Sequence, residues 1–524
     1  MNCLRRGVFL LALVLAASST ALAQTRVRGR VTGAGTATNE PIPGVTIRLG
    51  TTGRGVVTDA NGEYILTVPA TVRTLTFSSI GYRTQEVTVD NREVIDVVLE
   101  PQVLNLEGLV VVGYTTQQRR DVSGSVASIT GEKITEQKAA TLEEALRGRI
   151  AGVNIVSSGE PGRASAVVVR GQNFIGNVSP LYVVDGMYMH QNPGLNPEDV
   201  ASVEVLKDAS AASQYGAQAA NGVIVITTKR GQAGETRLSI RSSYGFQEVP
   251  RTIEMMDAQG WARITNMARA NAGLPPIPAA QTLPAGINTD WQDALLKRGA
   301  LQDHNVTVSG GNASASYLIS GSFLKQDGTL SKTNFDRGSL RLNSELRRGR
   351  ITVGENMALS RFTRENLIGF PLIDAMRMQP TIAIRDPNDP TKYGYGSDNN
   401  PTFGTNPIGA MEREDNTDAV NQLIGSLYGE VSLFANLKYR LNLGANQQNV
   451  NWRDFLRQRQ VRQNTTPEQT SFTDRRDNVT SYLIENLLTF NQSFGKHDVN
   501  AVAGYTEQQE EFNRLEAFRR GYPD

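Results

Sequence analysis

Residues 213–231 read SQYGAQAANGVIVITTKRG, and any fold for this chain has to account for the run near their end. Val223, Ile224, Val225 and Ile226 are consecutive β-branched residues, a pattern that fits a strand covered on both faces better than one with a wet side. Asn221-Gly222 supplies a tight turn in front, and Lys229-Arg230-Gly231 ends the apolar run. The strand is therefore expected to be enclosed, although much of the chain after it alternates polar and apolar residues.

Upstream, the segments GVNIV, AVVVRG, LYVVDG and SVEVL are further apolar strands of the same kind, interleaved with short helical starts. Thr141 and Glu144 make a capping box ahead of LEEALRGRI, and Asn196-Pro197 gives an N-cap followed by proline at the first helical position. Residues 118–231 thus read as a compact α/β globule that ends with the enclosed strand. Residues 25–100 instead carry short β patterns, turn residues recurring every eight to twelve positions, which reads as a small β-sandwich. Within it Asp59-Ala60-Asn61-Gly62 has the start of a calcium loop without its remaining ligands, so a hairpin turn with Gly62 at positive φ is expected.

From residue 236 the period becomes two over long stretches. Ala313, Ala315, Tyr317, Ile319 and Phe323 fall on one face, Ser314, Ser316, Ser320 and Ser322 on the other. Nine strands are predicted, near 236–248, 303–310, 313–326, 335–347, 351–363, 422–436, 437–452, 480–494 and 497–512. Their links alternate between tight turns and long loops, as in an outer-membrane barrel with short periplasmic turns and long outer loops. A barrel preceded by a compact globule has a place for it in its own lumen, which would enclose the strand at 223–226 a second time. The fold class read here is mainly β: a sandwich extension, an α/β plug, and about nine strands of a transmembrane antiparallel barrel.

Composition narrows the function. The 53 Lys+Arg and 52 Asp+Glu among 524 residues leave a net charge of +1, which argues against a nucleic-acid partner. Arg5 and Arg6 precede the apolar run Val8 to Ala17, and Ala21-Leu22-Ala23 offers a cleavage site, so residues 1–23 read as an export signal with the mature chain starting at Gln24. Cys3, the single cysteine, leaves with that signal, so disulfides and thiolate chemistry are not expected. His190, His304 and His497 are scattered without metal or triad spacing, and no P-loop or nucleophile elbow is present. No enzyme activity, cofactor or metal is expected. Arg170-Gly171, Asp185-Gly186 and Tyr215-Gly216 read as turns with charged groups paired in a packed plug rather than as a catalytic Asp–Arg pair.

The segments LEGLVVVGYTTQQRRDVSGSVASI, LRGRIAGVNIVSSGEPGRASAVVVRG, SPLYVVDGM and LNPEDVASVEVLKDASAASQYGAQAANGVIVITTKRG resemble the SusC/RagA family of TonB-dependent outer-membrane transporters. The order PIPGVTIRL, VVTDANGEYILTV, FSSIGYRTQEVTV resembles the carboxypeptidase regulatory-like domain and implies no peptidase activity. These resemblances imply a regulatory-like extension at 25–100, a linker at 101–117, a plug at 118–231 and a partial barrel at 236–524. Since the family closes about twenty-two strands, the chain reads as the N-terminal portion of a truncated barrel.

The resemblance also implies import across the outer membrane of a large nutrient, of oligosaccharide or peptide class. Energy would come from TonB and its inner-membrane complex, and a SusD-like lipoprotein would lid the barrel. Leu109, Val110, Val111, Val112, Gly113 and Tyr114 are the candidate TonB-binding segment, since a β-prone strand adds to a partner's edge through its backbone. A last strand of the sandwich or a first strand of the plug is the alternative for the same residues. Met187, Tyr188 and His190 after the plug strand, and Tyr393 and Tyr395 in an outer loop, are candidate substrate contacts, since aromatic faces suit sugar rings. Loop packing explains the aromatics of the long loops equally well, Trp261, Trp291 and Phe403 among them. A siderophore or cobalamin receptor and a β-rich surface adhesin are the competing readings.

Overall fold

The computed structural model describes residues 24–522 except 34–39, 50–54, 70–71, 80–81, 91, 101–108, 113–114, 119–124, 172–178, 313 and 495–496. The export signal and Cys3 lie outside the described residues. The chain divides into two units, Met1–Gly108 and Leu109–Asp524.

The strands of the first unit are β1 (Gln24–Gly33), β2 (Glu40–Pro41), β3 (Thr46–Leu49), β4 (Gly55–Val57), β5 (Glu63–Pro69), β6 (Thr74–Ser78), β7 (Gln85–Thr88) and β8 (Val97–Leu99). One sheet gathers β2, β5 and β8 around β1, and the other runs β4-β3-β6-β7. Alternate residues of β5 point inward, so Tyr64, Leu66 and Val68 meet Ile47, Leu75 and Phe77 in the sandwich core. At 59–63 the Asp59 carboxylate accepts from the Asn61 and Glu63 backbone N–H groups, each at 2.9 Å, and Gly62 takes φ 73°. The aspartate thus closes a turn.

The second unit begins with β9 (Leu109–Val112) and β10 (Thr115–Gln118), an antiparallel pair. There follow β11 (Val126–Thr130), β12 (Val153–Val156), β13 (Ala166–Val169), β14 (Leu181–Val184), β15 (Met187–Met189), β16 (Val200–Leu206) and β17 (Val223–Thr228). β17 lies inside a five-stranded sheet of order β11-β16-β17-β14-β15, antiparallel to β16 and parallel to β14. Ile224 and Ile226 enter one apolar cluster with Ile129, Leu142 and Val203, whereas Val223 and Val225 enter another with Leu181, Leu206 and Tyr215. Both faces of the strand are covered, which is why its sequence does not alternate. Each such side chain contributes about 1.5–3 kcal/mol by leaving water.

Nine long strands form one antiparallel sheet in chain order: β18 (Gly234–Gln247), β19 (Gly299–Gly311), β20 (Ala315–Asp327), β21 (Asn334–Arg348), β22 (Ile351–Glu365) and, after a loop hairpin of β23 (Arg385–Asp386) and β24 (Asp389–Tyr393), β25 (Glu414–Phe434), β26 (Leu437–Leu456), β27 (Ser471–Phe494) and β28 (His497–Arg520). The nine predicted strands are all present, and several are longer than their periodicity showed. β25 begins eight residues earlier than expected, at Glu414, in the polar run EDNTDAVN. Polarity along this sheet is inverted relative to a soluble sandwich. Ile319 and Phe323 are each 46% exposed on the outer face, while Leu318, Ser320 and Leu324 of the same strand are buried on the inner one. Tyr439 and Leu443 point outward from β26 while Asn442 and Asn446 are buried inside. An apolar exterior with a polar lining is the pattern of a wall made for lipid.

The long loops fold together at one edge of the sheet. Trp291 and Leu295 from residues 248–298 pack on Ala375, Met378, Ile382 and Met411 from residues 366–413. The Trp291 indole N–H donates to the Gln379 carbonyl at 2.9 Å, and the Asn406 N–H donates to the Val461 carbonyl of the third loop at 2.9 Å.

Val225→Asp is expected to open the plug, since a carboxylate there is desolvated without a partner at a cost of several kcal/mol. Limited proteolysis should show new cleavage within 118–231. Ile319→Lys, on the outer face, should leave that region protected while membrane assembly loses about 2–4 kcal/mol. An unchanged cleavage pattern in Val225→Asp would remove the enclosed placement.

Candidate functional site

The plug meets the sheet through hydrogen bonds and ion pairs as well as apolar contacts, Ile424 of the wall joining the plug's own cluster and Ala140 of the plug packing with Leu324 and Phe335. Asp185-Gly186 forms the two-residue turn between β14 and β15, with φ 46° and 96°, the left-handed pair that Asp-Gly favours. This turn aims the Asp185 carboxylate at the wall. It accepts from the Thr228 N–H at 3.1 Å and is bonded by the Thr228 hydroxyl and the Asn356 amide. Arg341 of β21 is 2% exposed, lies 3.6 Å from the same carboxylate, and also donates to Thr228 and Asn356. Arg170 is elsewhere, at φ 56° on the turn after β13, where its charge acts on Asp208.

Further contacts lie along the same wall. Ser320 donates to Asp199 at 2.7 Å, and the Asn196 amide donates to Ser322 at 3.0 Å. Glu198 is held by Lys138 at 2.9 Å and by Arg241 of β18 at 2.8 Å. Arg337 of β21 donates to the Ala140 carbonyl at 2.7 Å and to the Asn196 side-chain oxygen at 3.1 Å. Together these contacts satisfy many polar side chains of the lining that would otherwise be buried without water.

Between plug and wall lies a cavity of about 430 Å³. Ser165, Tyr182, His190 and Asn192 line it from the plug, and Phe335, Arg337, Phe362, Arg364, Asp418 and Gln448 from the wall. Arg364 pairs with Asp418 across its side. Gly162 lets the plug loop rest on Phe335, since a Cβ there would stand 2.0 Å from the ring. Behind the lining, Glu143 is 1% exposed; Asn192 donates to its Oε2 at 2.6 Å, and the Tyr182 hydroxyl also acts on this carboxyl. Burial pushes this carboxyl up to about 7, and burial does the same to Glu204 in β16.

Of the residues singled out in sequence, His190 lines the cavity. Met187 is 1% exposed, with its sulfur against Gly444 of the wall. Tyr188 exchanges backbone hydrogen bonds with the Gln508 amide and meets Tyr215 edge-on at 5.8 Å. Tyr393 is buried in the loop core, its hydroxyl donating to Glu412 at 2.7 Å under the Arg385 guanidinium, while Tyr395 is 38% exposed. Trp291 is buried and Phe403 is 88% exposed. Leu109–Val112 form β9, and Gly113 and Tyr114 lie outside the described residues. Sequence reading missed Arg337, Arg341 and Asn356. Their one signal was polarity on the face of long strands opposite the apolar one, which says that a lining exists and not what it touches.

A polar-lined sheet, apolar outside, latched onto an α/β plug defines the class of plugged outer-membrane receptors. Residues 118–223 match the TonB-dependent Receptor Plug Domain, and residues 27–111 match the CarboxypepD_reg-like domain. "TonB-dependent receptor P3" of Formosa agariphila is 32% identical over 89% of this chain and 46% of its own length, and "TonB-dependent receptor SusC" of Bacteroides thetaiotaomicron is 28% identical over 74% and 41%. The RagAB peptide importer in its open-open state matches with TM-score 0.68 and 26% identity, over 79% of this chain and 50% of that one. In these matches the chain is similar to the SusC/RagA family of TonB-dependent receptors. It spans about half the length of the curated relatives it matches, which are named as receptors rather than enzymes.

Two outcomes follow from the buried charges. Arg341→Met should cost about 3–5 kcal/mol, because Asp185 is left buried without its cation; denaturant titration of plug unfolding measures it, with Arg347→Met on the exposed rim as the silent control. For Glu143, the folded carboxyl releases its proton near 7 and the unfolded one near 4.5, so the folded state holds the extra proton in between. Its contribution is therefore fully present below about pH 4.5 and falls away by about 3 kcal/mol as pH rises through 7. Glu143→Gln should flatten plug stability across that window.

Proposed function

We propose that this protein imports a large nutrient, an oligosaccharide or a peptide, across the outer membrane by a TonB-driven change in its plug. The observation that carries the reading is the plug seated on the polar lining of a lipid-facing sheet and held there by buried, breakable charge contacts. A plug held by apolar packing alone would resist extraction, whereas polar contacts exchange for water as they part. In this reading residues 25–100 and the segment at 101–117 face the periplasm, and the packed long loops face outward. Residues 118–231 block the passage formed by residues 236–524.

The TonB contact would be made at Leu109 to Tyr114. Among the described residues β9 pairs only with β10, so strand addition has a β-formed backbone to use. A SusD-like lipoprotein would cover the outer loops, in keeping with the likeness to the RagAB peptide importer. His190 at the cavity and the exposed Tyr395 would contact substrate on its way in, and Met187, Tyr188 and Tyr393 would shape that route from behind.

Val111→Pro removes a backbone donor and disturbs strand pairing. Energy-dependent uptake should fall at least tenfold while outer-membrane abundance and plug protection stay normal. Unchanged uptake would take the segment out of the mechanism. Copurification from native membranes of a siderophore with no SusD-like lipoprotein would favour the siderophore reading.

A further inference from the structure

The cavity between plug and wall holds polar groups that the protein itself leaves unsatisfied. Ser165 is 8% exposed and its hydroxyl has no hydrogen-bond partner among the described residues. Arg337 is 4% exposed, its Nε is also without a partner, and its two bonded nitrogens reach only neutral oxygens, of Ala140 and Asn196. Asp199 and Asp303 act on this guanidinium only at longer range, and each is engaged elsewhere, with Ser320 and with Lys138. The other cation on the cavity is already neutralised, because Arg364 pairs with Asp418.

A buried guanidinium without a contacting anion is costly, and the planar donor set of arginine matches a carboxylate. Beside it stand two aromatic rings, Phe335 and Phe362, with centroids 5.8 Å apart and planes tilted by 46°. A volume of about 430 Å³ lies within the range of small-ligand sites, which pair an apolar lining with a few placed polar groups. We propose that this cavity binds a small monocarboxylate carrying an apolar or aromatic group, with the carboxylate on Arg337 and Ser165 and the apolar group against Phe335 and Phe362. A neutral sugar leaves the guanidinium unpaired and is disfavoured here. The inference extends the import reading to a ligand class at the plug, but its binding step does not depend on TonB.

The test is calorimetric titration of the intact protein, purified in detergent, with N-acetyl-phenylalanine, its C-terminal amide and maltose. The acid should bind with one site per protein, at least tenfold more tightly than the amide, and maltose should not compete. Ser165→Ala, which removes no plug contact, should weaken the acid about fivefold and leave the amide unchanged. Arg337→Gln should abolish the preference for acid over amide, with plug protease protection measured alongside. Equal affinity for acid and amide, binding of maltose at this site, or no binding of the acid at millimolar concentration would overturn the inference. A protein that binds the acid but shows no energised uptake would leave it standing and remove the import reading instead.

Discussion

A lipid-facing sheet has to be apolar outside, and the period-two pleat then puts its polar residues on the inside. Those inner groups need partners, since buried polar atoms left unbonded each cost about 1–3 kcal/mol. Here the plug supplies partners along several strands. Arg341 reaches Asp185 and Thr228, Ser320 reaches Asp199, Asn343 accepts from the Gly231 N–H, and Arg241 reaches Glu198. Most of the plug's apolar core is turned on itself, with Ile424 of the wall added to it, and its polar rim is turned to the wall.

The same division explains why the contacts are ionic. Replacing a buried ion pair with well-packed apolar residues often costs nothing or stabilises a protein, so such pairs are weak devices for stability alone. They are effective at fixing register, because a carboxylate carried on the tight Asp185-Gly186 turn meets its guanidinium in one placement only. Such pairs therefore set where the plug sits more than how tightly it is held.

Local chemistry made much of the fold readable. The Val223 to Ile226 run, the Asn221-Gly222 turn, the Thr141 cap and the alternation of Tyr317, Ile319 and Phe323 each carry their own structural meaning within a few residues. The Thr141 hydroxyl does accept from the Glu144 N–H at 3.3 Å, and the Asn196 side chain does accept from the Glu198 N–H at 3.2 Å. What could not be read is non-local. Asp185 and Arg341 are far apart in the chain, and nothing in either neighbourhood names the other. Strand ends were misplaced where the sequence is mostly polar, as from Glu414 to Asp418, because a stretch without apolar residues has no period to show. The loop aromatics were ambiguous for a related reason: Trp291 and Phe403 are both aromatic residues in long loops, yet one is 4% and the other 88% exposed.

The loop core around Trp291, Met378 and Met411 has a mechanical side. Two long loops sharing one buried cluster, with a third hydrogen-bonded to them at Val461, cannot swing as independent flaps. They form a single collar whose legs are the ends of strands β18, β19, β22, β25, β26 and β27. Two of those strands, β18 and β22, also carry Arg241 and Asn356, so the collar and the contacts that grip the plug are built on the same strands.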